Sequence, residues 1–439
     1  MMTTPKRGML FGSVLLVTSA ATIGILSSVA PLAAALLVVT PLCFWLFISR
    51  PEWAVAAVVI SSLAKDVPLS GLLIVLGSVT AVLGLLLRFL REHRVPQLTF
   101  SLGVVALVPL VLGLRLMAEG TREGGVGGFM LPEWAIFFAN AVVALAAGIL
   151  SLERRPAMEH ALGALSLLFL IAFLPAAMAG ETGRMYALTG NPNRTVFALA
   201  ITAPFALKFL YAARPRITFL PTYIAVAYVL FLVAKTGSAQ GIVAIPIVIA
   251  VTFFAIRSGS VKRKGRSTRF LFGLAALGGS LWVLTLAVGD RFAQRASNLS
   301  GRLEFFGYAV DDFWNNWLLG TGQRVVSEGF VEVSAHNTYL GVMATGGVLA
   351  ALLLLFALLA AMRNVPGLLR ARSVAPAALA GLLIEFIVQA ADGVPATWAI
   401  LSLAVARPMA ELTQANQSGR SRRGGIAGEA VRINQGQNI

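Results

Sequence analysis

The sequence predicts an all-α polytopic integral membrane protein with 12–14 transmembrane helices and one long exterior loop that contains an amphipathic helix. Three observations predict this fold. Hydrophobic residues make up 58% of the 439-residue chain and charged residues only 12%, whereas a soluble protein carries about twice that charged fraction. Apolar runs long enough to cross a bilayer recur from one end of the chain to the other. Lys and Arg are also distributed unequally between alternate loops.

Fourteen apolar segments are candidate spans. The first follows Lys6 and Arg7 and resembles a signal peptide, but Pro31 closely follows the small residues Ser28 and Ala30 and disfavours cleavage, so an uncleaved helix is expected. One segment, 52–64, is shorter than the ~20 residues that a spanning helix needs. The candidates are 9–26, 31–48, 52–64, 69–87, 99–117, 134–150, 158–178, 195–211, 217–234, 239–256, 270–288, 337–361, 374–391 and 395–413.

The loop charges predict an orientation. When the chain is threaded with its N-terminus inside, 25 of the 35 Lys and Arg residues fall on the inner side, and the run from Arg257 to Arg269 is the largest group. This bias predicts that both chain ends are cytoplasmic. The net charge of +16 therefore reflects membrane orientation. It does not indicate nucleic-acid binding, because the basic residues lie in short loops between apolar spans.

These patterns divide the chain into four parts. Residues 1–288 hold transmembrane helices with short loops, 289–336 form a long exterior loop, 337–413 hold the last transmembrane helices, and 414–439 form a polar cytoplasmic tail that is expected to be disordered. The Gly-rich loop 118–133 is expected to be flexible. Within the long loop, large apolar residues recur at helical spacing and predict an amphipathic helix on the outer membrane surface: Leu303, Phe306, Val310, Phe313, Trp314 and Trp317.

His336 is the candidate general base. It is the one histidine of three that falls on the exterior side, and it precedes a long apolar helix. The positive end of a helix dipole disfavours a protonated imidazole, and a neutral imidazole can accept a proton. The alternative interpretation is an interfacial histidine that caps the helix.

Exterior arginines are candidates for binding a lipid phosphate or diphosphate. Arg291, Arg295, Arg302 and Arg324 share the long loop with His336, and Arg184 and Arg194 lie in the loop 179–194. The planar guanidinium pairs bidentately with phosphate oxygens and stays charged. These side chains could instead contact anionic headgroups or neighbouring acids. No ligand set with metal spacing occurs on this side, so neither a metal nor a cofactor is expected.

Glu385 is an acidic residue inside a candidate span. Together with Gln389 and Asp392 it follows the spacing i, i+4, i+7, which predicts one shared helix face that rises to the outer surface. An intramembrane carboxylate is a functional candidate. The alternative is a structural hydrogen bond between helices.

Several segments together resemble the O-antigen ligase and polymerase superfamily of multispanning glycosyltransferases. The resemblance covers residues 184–361. It rests on Arg184, Gly190-Asn191-Pro192-Asn193, Gly301-Arg302, Trp317-Leu-Leu-Gly320-Thr-Gly322, His336-Asn337-Thr-Tyr339 and Gly346-Gly347. Two features depart from the family pattern: Trp317-Leu318 stands where the turn usually has Pro, and Ser238-Ala-Gln240-Gly241 stands where an arginine is frequent.

The resemblance implies a metal-independent, inverting glycosyltransferase in the bacterial inner membrane. The donor would be a glycan on undecaprenyl diphosphate, and the acceptor of a ligase would be the lipid A–core, on the periplasmic face. His336 would deprotonate the acceptor, Arg302 and Arg184 would hold the diphosphate with Arg291 or Arg295, and Asn337, Tyr339, Asn191, Asn193 and Glu385 would support them.

Two alternatives to a ligase remain open. An O-antigen polymerase of the same superfamily is less favoured, because the first exterior loop is short and no exterior-loop arginine is followed by glycine eleven positions later. A secondary transporter is the alternative from another class. Transporters tend to show internal repeats with broken helices, and the sequence shows no such repeat.

Overall fold

A computed structural model describes the fold over most of the apolar chain. The described residues are 43–64, 70–93, 98–119, 123–126, 129–178, 189, 191–213, 220–257, 299–322, 325–328, 331–334, 337–389 and 391–407. The candidate spans 9–26 and 270–288, most of 31–48, the tail 414–439 and the site candidates Arg184, Arg291, Arg295 and His336 lie outside these residues.

Helices account for most of the described residues. They are α1 (Cys43–Ser49), α2 (Pro51–Leu63), α3 (Ser70–Glu92), α4 (Phe100–Ala118), α5 (Glu133–Ala172), α6 (Leu174–Met178), α7 (Pro192–Ala213), α8 (Leu220–Thr236), α9 (Ala239–Arg257), α10 (Leu299–Asn315), α11 (Thr338–Arg370), α12 (Ala375–Val388) and α13 (Pro395–Val405). Among the described residues, six helices are long and apolar enough to cross a membrane, and the pair α1–α2, bent by 120°, makes a seventh if it is one span. The predicted helical architecture is thereby confirmed, and the long apolar helices are compatible by length and composition with a polytopic membrane protein.

The 40-residue helix α5 contains two of the predicted spans. Its backbone leaves helical geometry at Arg154, with φ −138° and ψ 42°. Before this break, Gly148 packs against Leu102 near the start of α4. After it, Leu170 accepts a hydrogen bond from Tyr228 Oη, in the middle of α8, at 3.0 Å. The second arm therefore returns into the bundle, and 134–150 and 158–178 are the two arms of one helical hairpin.

Basic residues that the charge pattern assigned to one side lie together at one end of the bundle, which we call the basic end. Arg88 pairs with Glu153 at 3.0 Å. Arg155 donates to the carbonyls of Leu403, at 3.0 Å, and Ala406, and so caps the last turn of α13. Buried Glu159 bonds Lys208 and Ser373, which joins α5, α7 and the start of α12. Arg115, Arg194 and Lys235 lie at the opposite end, which we call the far end.

The described loops contain two short antiparallel β-hairpins that the all-α prediction did not include. Strands β1 (Glu123–Val126) and β2 (Phe129–Pro132) pair in the Gly-rich loop, and β3 (Val325–Glu328) and β4 (Val331–Ser334) pair in the long loop. Each pair is separated by two residues, Gly127-Gly128 and Gly329-Phe330, and a two-residue connection containing glycine is typical of a hairpin. The Gly-rich loop therefore contains paired strands, which the sequence analysis did not predict.

The predicted amphipathic helix exists as α10, which ends two residues before Trp317. It packs on the bundle through Tyr308 and Ala309, which contact Ala344 and Leu340 of α11. Trp314 and Trp317 belong to the predicted apolar face and are 68% and 54% exposed. These two side chains of the predicted apolar face are therefore accessible to lipid. The helix packs on the bundle through a neighbouring face, at Tyr308 and Ala309, which the hydrophobic pattern did not predict.

Candidate functional site

The Asn191-Pro192-Asn193 segment begins helix α7 at the far end. The side-chain oxygen of Asn191 accepts from the Asn193 amide at 2.8 Å, and its carbonyl accepts from the Thr195 amide at 3.0 Å. Pro192 occupies the first helical position, where its missing N–H costs nothing. The hydroxyls of Thr189 and Thr195 are hydrogen-bonded at 2.6 Å. The segment is thus a rigid helix start, as its residue types favour.

Asn193 connects this helix start to the Ser238-Ala-Gln240 segment between α8 and α9. The Ser238 hydroxyl donates to Asn193 Oδ1 at 2.9 Å. The amide of Gln240 donates to the Asn193 carbonyl at 3.2 Å and to Glu385 Oε2 at 3.0 Å. Gln240 lies in the segment where the family frequently has an arginine. Its side-chain hydrogen bonds connect α9, to which it belongs, with α7 and α12.

Glu385 is buried within this junction. Gln240 donates to its Oε2, while its Oε1 has no hydrogen-bond partner among the residues that the structure describes. Buried polar oxygens are nearly always hydrogen-bonded, so such an oxygen is a candidate acceptor for a proton or a ligand hydroxyl.

The predicted face shared by Glu385, Gln389 and Asp392 is wrong. Helix α12 ends at Val388, and Gln389 is extended, with φ −146° and ψ 143°. Beyond it the chain turns toward α13, where the Trp398 indole donates to the carbonyl of Asp392 at 2.6 Å. Helical spacing therefore stops applying four residues after Glu385.

Asn337 caps helix α11 and fixes the chain directly after His336. Its Oδ1 accepts from the Leu340 amide at 3.0 Å, and its Nδ2 donates to the carbonyl of Ile387 at 3.1 Å. The Thr338 hydroxyl donates to the Gln389 carbonyl at 2.6 Å. The Tyr339 ring contacts that of Phe386 edge-on, with centroids 5.4 Å apart. The helix start is thus bound to the end of α12, one turn from Glu385.

The glycine motifs of the long loop and of α11 meet each other. Gly347 breaks α11, with φ 65° and ψ −162°. The turn that follows α10 enters this break: the amides of Thr321 and Gly322 donate to the carbonyls of Ala344, at 2.8 Å, and Thr345, at 3.0 Å. The Val348 amide donates in return to the Trp317 carbonyl at 2.7 Å. Gly320-Thr-Gly322 and Gly346-Gly347 are therefore two halves of one backbone contact.

Two arginines at the far end make contacts that the sequence did not predict. Arg115 of α4 bonds the carbonyls of Leu319 and Gly320. Arg194 lines a small cleft, of about 300 Å³ including its open part, together with Ser62, Leu63, Phe197, Gln389, Ala391 and Val394. The sequence grouped Arg194 with Arg184 among the exterior arginines, and the loop charges placed Arg115 on the exterior side, but neither residue was assigned a specific role.

Of the predicted exterior arginines in the loop 179–194 and the long loop, the structure describes Arg194, which lines this cleft, and Arg302, which lies in the first turn of α10. No group of three or more potential His, Cys, Asp or Glu metal ligands occurs within the described ranges. Of the predicted site residues, the structure thus brings together Asn191, Asn193, Asn337, Tyr339 and Glu385 at the far end.

Comparisons of the chain with protein-family models, with curated proteins and with solved structures gave no match.

Proposed function

We propose that the protein is an O-antigen ligase, a metal-independent inverting glycosyltransferase. It would move a glycan from undecaprenyl diphosphate to the lipid A–core at the periplasmic face of the bacterial inner membrane. In this proposal the basic end of the bundle faces the cytoplasm, together with both chain termini, as the positive-inside rule favours. The far end then faces the periplasm.

The observation that carries the proposal is the convergence of the resembling segments at the far end. Asn193 is linked through Gln240 to Glu385, and Asn337 is linked to Ile387, two residues further along α12. The turn at Gly320 bonds the same helix, α11, that begins after Asn337. Segments that are remote in sequence thus converge toward the end of the bundle where a periplasmic site is expected.

In the proposed mechanism His336 deprotonates the acceptor hydroxyl. It directly precedes Asn337 in the sequence, and Asn337 caps the N-terminus of α11, which is the positive end of the helix dipole. This field disfavours a protonated imidazole and keeps a base available. Arg302, with Arg184, Arg291 or Arg295, would bind the diphosphate and stabilise its charge as it leaves. Asn191, Asn193, Gln240 and Glu385 would hold the surrounding helices in place.

The test is glycan transfer by the purified protein from a lipid-linked donor to lipid A–core. We expect His336→Ala to lose about 10²–10⁴-fold in turnover, the usual contribution of a general base. The matched control is His93→Ala, because His93 is exposed after the last turn of α3, at the basic end. Near-normal turnover of the His336 variant would remove this residue from the mechanism.

The same assay separates the alternatives. Lengthening of the lipid-linked glycan without attachment to lipid A–core would indicate a polymerase. Accumulation of a solute in vesicles, with no transfer, would indicate a transporter.

A further inference from the structure

Arg115 connects the end of α4 to a turn more than 200 residues later in the chain. Its Nε donates to the Leu319 carbonyl at 2.8 Å, and its Nη2 donates to the Gly320 carbonyl at 2.9 Å. Glu119, one helical turn further along α4, accepts from the same Nη2 at 2.9 Å. The guanidinium therefore binds two consecutive carbonyls, while a carboxylate holds it in orientation.

The two glycines of this turn are closely packed against both neighbouring helices. A Cβ on Gly320 would lie 2.4 Å from the Thr345 carbonyl, and a Cβ on Gly322 would lie 2.3 Å from Glu119 Cγ. The turn is thus enclosed between α4 on one side and the broken helix α11 on the other. Arg115 donates hydrogen bonds to the carbonyls of Leu319 and Gly320. The amides that follow them, those of Thr321 and Gly322, donate to carbonyls of α11.

The position of this turn sets the relation between two functional segments. Helix α10 holds Arg302 in its first turn and ends at Asn315, shortly before the Gly320–Gly322 turn. The break in α11 lies about ten residues, or ~15 Å, from the helix start at Asn337. A displacement of the turn would therefore move α10 relative to the start of α11. Such a displacement would separate the two elements that the proposed function assigns to the diphosphate and to the general base.

We propose that Arg115 is a positioning residue, whose guanidinium holds the Gly320–Gly322 turn in the broken helix and thereby aligns the surface helix α10 with the start of α11. Its role in catalysis rests on the proposed function, whereas its role in holding the turn does not. Lysine cannot replace it, because an ammonium lacks the planar fork that binds two acceptors in fixed directions.

The test compares Arg115→Lys and Arg115→Ala with Arg88→Lys in the full-length protein. Arg88 is the matched control: it also forms an i,i+4 pair, with Glu92 at 2.9 Å, but at the basic end. Hydrogen–deuterium exchange is measured on peptides that contain Thr321, Gly322 and Val348. We expect both Arg115 variants to exchange about tenfold faster there, the size expected when hydrogen bonds to a charged group are lost. Arg88→Lys should match wild type.

Transfer kinetics give the second measurement. We expect kcat of Arg115→Lys to fall about tenfold or more, because small misplacement of reacting groups is costly, with KM for the acceptor unchanged. Unchanged exchange in the turn, or faster exchange with wild-type kcat, would overturn the proposal. If Arg115→Ala does not fold, the exchange and kcat of Arg115→Lys still test the proposal. If the wild type transfers no glycan, the proposed function fails, while the exchange data still decide whether Arg115 holds the turn.

Discussion

Replacing Gly347 by alanine should destabilise the contact between α11 and the turn. Gly347 has φ 65° and ψ −162°, a backbone region that is essentially restricted to glycine. A Cβ at this position would lie 2.5 Å from the Leu318 carbonyl oxygen and 2.6 Å from the Gly320 nitrogen. Both neighbours are backbone atoms, so neither can rotate away as a side chain could.

The expected magnitude follows from two costs. The backbone conformation costs a non-glycine residue about 1–3 kcal/mol, and forcing an extra methyl into close-packed structure costs about 1–3 kcal/mol more. Gly341 is the matched control in the same helix, since a Cβ there meets nothing within 4 Å. Gly341→Ala should be neutral or stabilising by about 0.5–1 kcal/mol. The two alanine variants should therefore differ by at least about 2 kcal/mol in the free energy of unfolding.

The assay is equilibrium unfolding of the purified protein in detergent, followed by tryptophan fluorescence, with hydrogen exchange of residues 317–322 as a local readout. The chain has seven tryptophans, so the fluorescence follows unfolding of the whole protein, whereas the exchange reports on the turn itself. If Gly347→Ala and Gly341→Ala were equally stable, and exchange in the turn were unchanged, the assignment of Gly347 to a glycine-only conformation would be refuted.

Three further predictions concern the surface helix and the chemistry. If Arg302 binds the diphosphate, Arg302→Lys should be nearly as defective as Arg302→Ala in donor use, with a loss of ~3–4 kcal/mol in transition-state stabilisation. Near wild-type kinetics of Arg302→Lys would instead indicate that Arg302 forms only an exposed ion pair, which contributes ~0–1 kcal/mol. Transfer should survive EDTA, and loss that Mg²⁺ restores would show that carboxylates hold an ion. Burial, and to a smaller extent the charge of Asp311, raises the pKa of the Asp312 carboxyl, so ionisation of this group destabilises the folded state. Asp312→Asn should therefore raise Tm at neutral pH. This difference in Tm should vanish at acid pH, where the wild-type carboxyl is protonated.

Much of the architecture was predictable, because it depends on local patterns. Apolar length predicted the helices, and Arg154 marks the break between two predicted spans that are the arms of α5. The loop charges predicted that residues such as Arg88, Arg155 and Lys208 lie at one end, since charged side chains at the bilayer centre are costly wherever they occur in the sequence. The amphipathic helix was predicted within two residues at its end.

The site was predictable only in part. Asn191, Asn193, Asn337 and Glu385 were selected from residue type and resemblance, and the structure brings them to the same end of the bundle. The shared face of Glu385, Gln389 and Asp392 was wrong, because the spacing rule holds only while the helix continues. The hairpin β1–β2 was missed because glycine content was interpreted as flexibility, whereas two strands separated by two glycines can pair.

The sequence by itself determined where the helices are and which residues share an end of the bundle, because hydrophobicity and charge act on each segment separately. Only the tertiary structure decided which groups bond each other across the bundle. The bond from Gln240 to Glu385 spans 145 residues, and that from Arg115 to Leu319 spans 204. Such pairs depend on the distance and direction between two atoms after all the helices have packed, and no local pattern in the chain contains that information.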